Sequence, residues 1–150
     1  MNSDFVTDFR TSVLQAYDEL KTISEETAAA KPNTNQWSVK ELLGHLLDSA
    51  SNNHQRIVRL QIFDSIEFPF YQQDDFVRVN HYQNQGWEVL LEFWKLYNLH
   101  LVHLVENLDE SKINNVWVTP DRERLTLGHI IEDYLRHLKH HIGQVRGLTS

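Results

Sequence analysis

Trp37-Ser38-Val39-Lys40-Glu41-Leu42-Leu43 is the stretch on which the reading of this chain turns. Ser38 and Glu41 stand three apart, the capping-box pattern of a helix start, and Trp37 with Leu42 occupies the two positions of a hydrophobic staple. The apolar series Val39, Leu43, Leu46, Ala50, Ile57 and Leu60 then carries the helix to about Phe63. Upstream, Phe9, Val13, Ala16, Leu20 and Ile23 mark another amphipathic helix, which should stop before Pro32 in the polar stretch Lys31-Pro32-Asn33-Thr34-Asn35. Downstream, about twenty residues from Asp64 to Gln85 form a connection longer than compact domains use for linking alone, which suggests a cover over a pocket.

A third helix has the seam Leu90, Trp94, Tyr97, Leu101, Leu104 and Leu108, with steps of four and three, the packing pattern of an antiparallel bundle. That register turns His103 outward and leaves His100 on the flank. Asn114 to Asp121 reads as a short extended piece bounded by turns, half of a small hairpin. Thr126 is the expected N-cap of a fourth helix with Leu127, Ile131, Tyr134, Leu138, Val145 and Leu148 on its seam. The expected fold class is therefore all-α: an antiparallel four-helix bundle, with a short β-hairpin before the last helix, in one domain spanning residues 1–150.

Composition narrows the function. The chain has no cysteine, so thiolate metal sites and cysteine nucleophiles are excluded and any transition metal must be held by His, Asp or Glu. Fourteen Lys+Arg against twenty-one Asp+Glu give a formal charge of -7 with scattered basic residues, which argues against nucleic acid as a partner. Met1-Asn2-Ser3-Asp4-Phe5-Val6 does not read as a secretory leader, and no apolar run approaches the roughly 18 residues of a membrane span. A cytoplasmic protein without a membrane partner is expected.

His137 and His141 stand four apart in the fourth helix, where residues at i and i+4 share a face and two imidazoles can reach one ion. The seam places His141 between Leu138 and Val145, with His137 and Gln144 flanking it along the row from Ile130. His129 and His140 point elsewhere. A single seam histidine is more often a hydrogen-bonded core residue than a ligand. Two on adjoining turns are harder to dismiss, because each buried imidazole needs partners for both nitrogens. His45 does not stand out by pattern, lying about 120° from the centre of its helix's main apolar face.

The run from Trp37 through Ser38, Val39, Lys40, Glu41, Leu42, Leu43, Gly44, His45, Leu46, Leu47, Asp48 and Ser49, followed by Leu125-Thr126-Leu127 and His137-x-x-x-His141, resembles the DinB superfamily. It is particularly similar to the YfiT-like branch, described as metal-dependent hydrolases and including thiol S-transferases that act with bacillithiol. The likeness extends from about Trp37 to Leu148 and includes Phe68-Pro69-Phe70-Tyr71. It implies that His45, His137 and His141 bind one divalent ion per chain, zinc or nickel, and that the chain pairs as a homodimer. The helix pattern continues through Asp48, Ser49, Asn52 and Arg56.

His45, Ser49, Asn52 and Arg56 step by four, three and four, one stripe along the helix with the implied ligand at one end. Such a stripe either lines a polar pocket that binds substrate or is an ordinary solvated face. Three neutral imidazoles leave a coordination position open, as in catalytic zinc sites. Arg56 has the planar fork that suits an anionic substrate group. Asp48 either orients a ligand from behind or faces water. Two functions follow: a metal-dependent thiol S-transferase or related hydrolase, with a small-molecule thiol and an electrophile as partners, or a non-catalytic metal-binding, stress-associated bundle. No general acid or base is identifiable. A di-iron site would need paired Glu-x-x-His motifs, and no such pair occurs.

Overall fold

The capping box at Ser38 forms as the sequence demands: Ser38 Oγ accepts from the Glu41 amide at 3.2 Å and Glu41 Oε2 accepts from the Ser38 amide at 2.9 Å. This launches α3 (Val39–Ile62) in the computed structural model, which describes residues 1–149. Three other long helices accompany it: α1 (Ser3–Leu20), α5 (Trp87–Glu106) and α6 (Leu127–Thr149). Between them lie the short α2 (Glu25–Ala29) and α4 (Gln73–Val79). The long helices form a four-helix bundle in which α1 packs chiefly on α5, and α3 packs on both α6 and α5. Phe9, Val13, Leu43, Leu46, Leu60, Leu90, Trp94, Leu101, Ile131 and Leu138 fill its interior. Among the described residues no helix is long and apolar enough to cross a membrane.

Three departures from the periodicity have local causes. The first helix ends at Leu20, so Ile23 lies outside it, because Ser24 Oγ accepts from the Thr27 amide at 3.1 Å and starts α2 as a new cap. Glu25 of α2 then takes the buried Lys40 ammonium and the Trp87 amide, tying the starts of α3 and α5 together. In α5 the seam passes through Asn98 and Val105, while Tyr97 and Leu104 are only half-buried. The buried Asn98 is satisfied: its Oδ1 accepts from Tyr134 Oη at 2.6 Å and its amide donates to the Trp94 carbonyl at 2.8 Å. In α6 the place expected for His141 belongs to Ile142, and Leu148 is 43% exposed. Transfer of an isoleucine from water outweighs that of an imidazole, so the seam steps from Leu138 to Ile142 and turns His141 to the flank beside His137.

The expected hairpin is present as β2 (Val116–Val118) and β3 (Arg124–Thr126), antiparallel, with Trp117 opposite Leu125. Thr126 also caps α6, its Oγ1 accepting from the His129 amide at 3.2 Å. The connection after α3 is more structured than its length suggested. It contributes β1 (Ser65–Glu67), parallel to β2 with Ile66 opposite Trp117, then α4 and a 3₁₀ turn at Tyr82–Asn84. Tyr82 fastens that turn to α3: its ring lies where a Cβ at Gly44 would come within 2.1 Å, and its hydroxyl donates to Asp48 Oδ1 at 2.6 Å. Glycine at position 44 is what admits the ring.

Candidate metal centre

The contact between α3 and α6 brings together three histidines from distant parts of the chain. His137 and His141, one turn apart, have ring centroids 4.4 Å apart. His45 enters from α3, with its Nε2 3.3 Å from His137 Nε2, and His141 Nε2 is 3.0 Å from the same atom. One nitrogen from each lies within 4.8 Å of the others. Metal–nitrogen bonds of about 2.0–2.1 Å in tetrahedral geometry separate ligand nitrogens by roughly 3.3 Å, so the spacing suits one ion.

Protonation favours ligation as well. His45 is 1% exposed, and its burial, reinforced by His141 and His137, pushes its pKa down to about 3. Burial, then His141, takes His137 to about 4, and burial lowers His141 too. All three are therefore neutral near pH 7, the form that binds metal. His141 Nδ1 is 2.7 Å from Gln144 Oε1, which accepts its proton and leaves the Nε2 lone pair directed inward. His137 Nδ1 is 3.5 Å from Ser49 Oγ. His45 Nδ1 is buried without a hydrogen-bond partner, and the Trp37 ring covers this imidazole at 5.1 Å between centroids. Converging ring nitrogens repel one another unless a proton or a cation lies between them. The donor set thus fits a divalent ion held by three imidazoles with one side free.

His137 also lines a cavity of about 180 Å³, together with Ser49, Asn53, Arg56, Tyr71 and Trp117, among others. Ser49 and Arg56 are buried on its wall. Asn52 turns away, its amide donating to the Asp48 carbonyl at 2.9 Å, and Asn53 takes the wall position. Asp48 neither faces water nor bonds a histidine. It is buried, accepts from Tyr82 Oη and from Asn80 Nδ2 at 3.1 Å, and burial raises its pKa to about 6. Its part is to hold the 64–85 segment on α3, which brings Tyr71 over the cavity and within hydrogen-bonding reach of Ser49. Sequence reasoning assigned no site role to Tyr71, Asn53 or Gln144. Only Gln144 carried a signal, three residues after His141. A wider cleft of about 520 Å³ opens on the other side, between Trp37, Gln36, Asp74 and Gln144.

Fold and site together define a helical-bundle protein with a three-histidine centre able to hold a divalent ion. The chain belongs to the DinB superfamily, which it matches over residues 9–145. It is 22% identical over 112 residues, 75% of this chain, to the "putative metal-dependent hydrolase" of Halalkalibacterium halodurans, spanning 65% of that relative's length. Among solved structures, YfiT from Bacillus subtilis, itself described as a "probable metal-dependent hydrolase", superimposes with a TM-score of 0.87 over 99% of this chain and 88% of its own, at 15% identity. The mycothiol-dependent maleylpyruvate isomerase superimposes with a TM-score of 0.71 over 95% of this chain and 59% of its own, at 12% identity. These likenesses establish the fold.

Proposed function

We propose that this protein is a metal-dependent thiol S-transferase, or a hydrolase built on the same site, using zinc or nickel at His45, His137 and His141. The observation that carries the reading is the convergence of three neutral Nε2 atoms beside a small cavity. Support comes from relatives described as metal-dependent hydrolases and from the fold shared with a mycothiol-dependent enzyme.

A bound divalent ion supplies the Lewis acidity that makes a thiol or water nucleophilic near neutral pH. The rest falls to the chain's own residues. His45, His137 and His141 fix the position of the nucleophile, and Gln144 holds His141 in the required tautomer. Ser49 and Tyr71 offer hydroxyls to a reactant in the cavity, and Trp37 shields the His45 ring from water. In conjugation, the thiol proton passes to water and the sulfur electron pair forms the bond to carbon. The leaving group departs with its own bonding pair.

Elemental analysis should find one divalent ion per chain. Conjugation of a low-molecular-weight thiol such as bacillithiol to an alkylating electrophile should stop on chelation and return when the ion is restored. A full complement of metal with neither conjugation nor ester or amide hydrolysis would favour a non-catalytic metal-binding role.

A further inference from the structure

Arg56 is 6% exposed, yet it pairs with no carboxylate among the described residues. Its hydrogen bonds are long and to neutral oxygens: Nη1 to Asn53 Oδ1 at 3.3 Å and Nη2 to the Pro69 carbonyl at 3.4 Å. Nε has no partner. The face of the guanidinium lies 3.8 Å from the centroid of the Trp117 ring, which holds the group in place without neutralising it. Burial lowers its pKa to about 10, so it remains a cation. A buried charge without a counter-charge is costly, and the arrangement persists where a ligand completes it.

We propose that the cavity between Arg56 and His137 is a carboxylate subsite, which receives a short monoanionic carboxylate on the molecule that reacts at the three histidines. The part played by the histidines rests on the function proposed above; the subsite itself does not. The wall combines polar groups, among them Ser49, Asn53, His137 and the Tyr71 phenol, with the apolar surface of Leu125, Ile130 and Trp117. Such a division fits a carboxylate carried on a few carbon atoms. At about 180 Å³ the space falls below the roughly 300–1,000 Å³ of sites for drug-sized ligands.

The charges select a monoanion over phosphate. Arg56 is the single permanent cation on the wall, His129 and His137 are the imidazoles there, and Asp133 is an acid on the same wall, paired with Arg136. A phosphate dianion would bring a second negative charge towards Asp133 with no second cation to meet it. One carboxylate matches the planar fork and its single charge.

The test uses metal-free protein, so that it reads the subsite apart from the metal. Trp117 provides the probe, because its indole N–H donates to the Phe68 carbonyl at 2.9 Å while its ring contacts Arg56. Titration with butyrate should shift the Trp117 indole N–H resonance saturably, whereas neutral butyramide and inorganic phosphate should not. Arg56→Gln should weaken butyrate binding at least tenfold without lowering Tm, because no paired counter-charge is lost, and it should bind metal like the parent. Arg56→Lys, keeping the charge without the fork, should bind butyrate with intermediate strength and guards against a folding defect in the first variant. Equal response to butyrate and butyramide, equal response to phosphate, or undiminished butyrate binding in Arg56→Gln would overturn the proposal. Butyrate binding by a protein that takes up no zinc or nickel when either is offered would leave the subsite standing and remove the metal reading; stoichiometric metal uptake without butyrate binding would do the reverse.

Discussion

Helix α3 carries two histidines nine residues apart, which places them on opposite sides of the helix, and both meet imidazoles of a neighbouring helix. His45 faces α6 and meets His137 and His141; His54 faces α5 and meets His100, with ring centroids 5.2 Å apart. The outcomes differ. His54 Nδ1 is engaged by the Tyr97 hydroxyl at 3.0 Å, its pKa is lowered by burial and then by His100, and no third ligand joins the pair among the described residues. On the other side three ring nitrogens meet, an amide fixes one tautomer, and a cavity adjoins. Closeness of imidazoles is therefore common to both sides of the helix, and what distinguishes the α6 side is that three ring nitrogens converge there.

The largest expected effect breaks the comparison outright. His137→Ala removes the nitrogen common to both close contacts and should abolish stoichiometric metal binding, a loss beyond the 10–100-fold typical of outer partners. His45→Ala and His141→Ala should do likewise, while His54→Ala, His100→Ala and His140→Ala retain the full complement, all read by elemental analysis. Next comes Gly44→Ala, beside His45. Displacing the Tyr82 ring should cost about 3–5 kcal/mol in urea unfolding, the range for losing a buried aromatic, whereas Gln55→Ala on the exposed face should change little.

Acid sharpens the contrast. The folded pKa values of His45 and His137 lie below the unfolded value near 6.5, so their contribution to stability is fully present above that value. In metal-free protein it is lost as pH falls from about 6.5 towards 3–4, since the unfolded chain then binds protons the native one refuses. Asp48 acts in the opposite sense between about 6 and 4, its raised pKa giving the native state the extra proton there. Thermal unfolding across this range should show a smaller acid loss in His45→Ala than in the parent. Smaller again, Gln144→Ala should weaken metal binding about tenfold by freeing the His141 tautomer, measured by chelator competition. The least effect belongs to the outer pair: Tyr97→Phe removes one hydrogen bond to His54 and should cost about 0.5–1.5 kcal/mol without altering metal content.

Much of this was written locally. The box at Ser38, the cap at Thr126, the apolar seam of α3 and that of α1 as far as Leu20 each depend on residues within a few positions, and they form where the pattern puts them. The turn from Leu20 to Ser24 was misjudged because two competing caps lie close together, and the seam of α6 because His141 and Ile142 are adjacent candidates for one inward place. Strand β1 was hidden because three residues acquire strand identity only from a partner about fifty residues away.

The sequence by itself determined the four long helices, the caps at Ser38 and Thr126, the lack of thiol chemistry and, through i,i+4 spacing, the pairing of His137 with His141, since these follow from composition and from backbone periods that act within a few residues. For His45, 92 positions before His137, resemblance implied a shared site that periodicity did not, and tertiary structure alone decided that Asn53 rather than Asn52 lines the wall and that Arg56 is buried beside an indole without a counter-charge. The reason is that helix rotation and the meeting of distant faces are set by packing the whole core at once, so where a side chain points in space is not a local property of the chain.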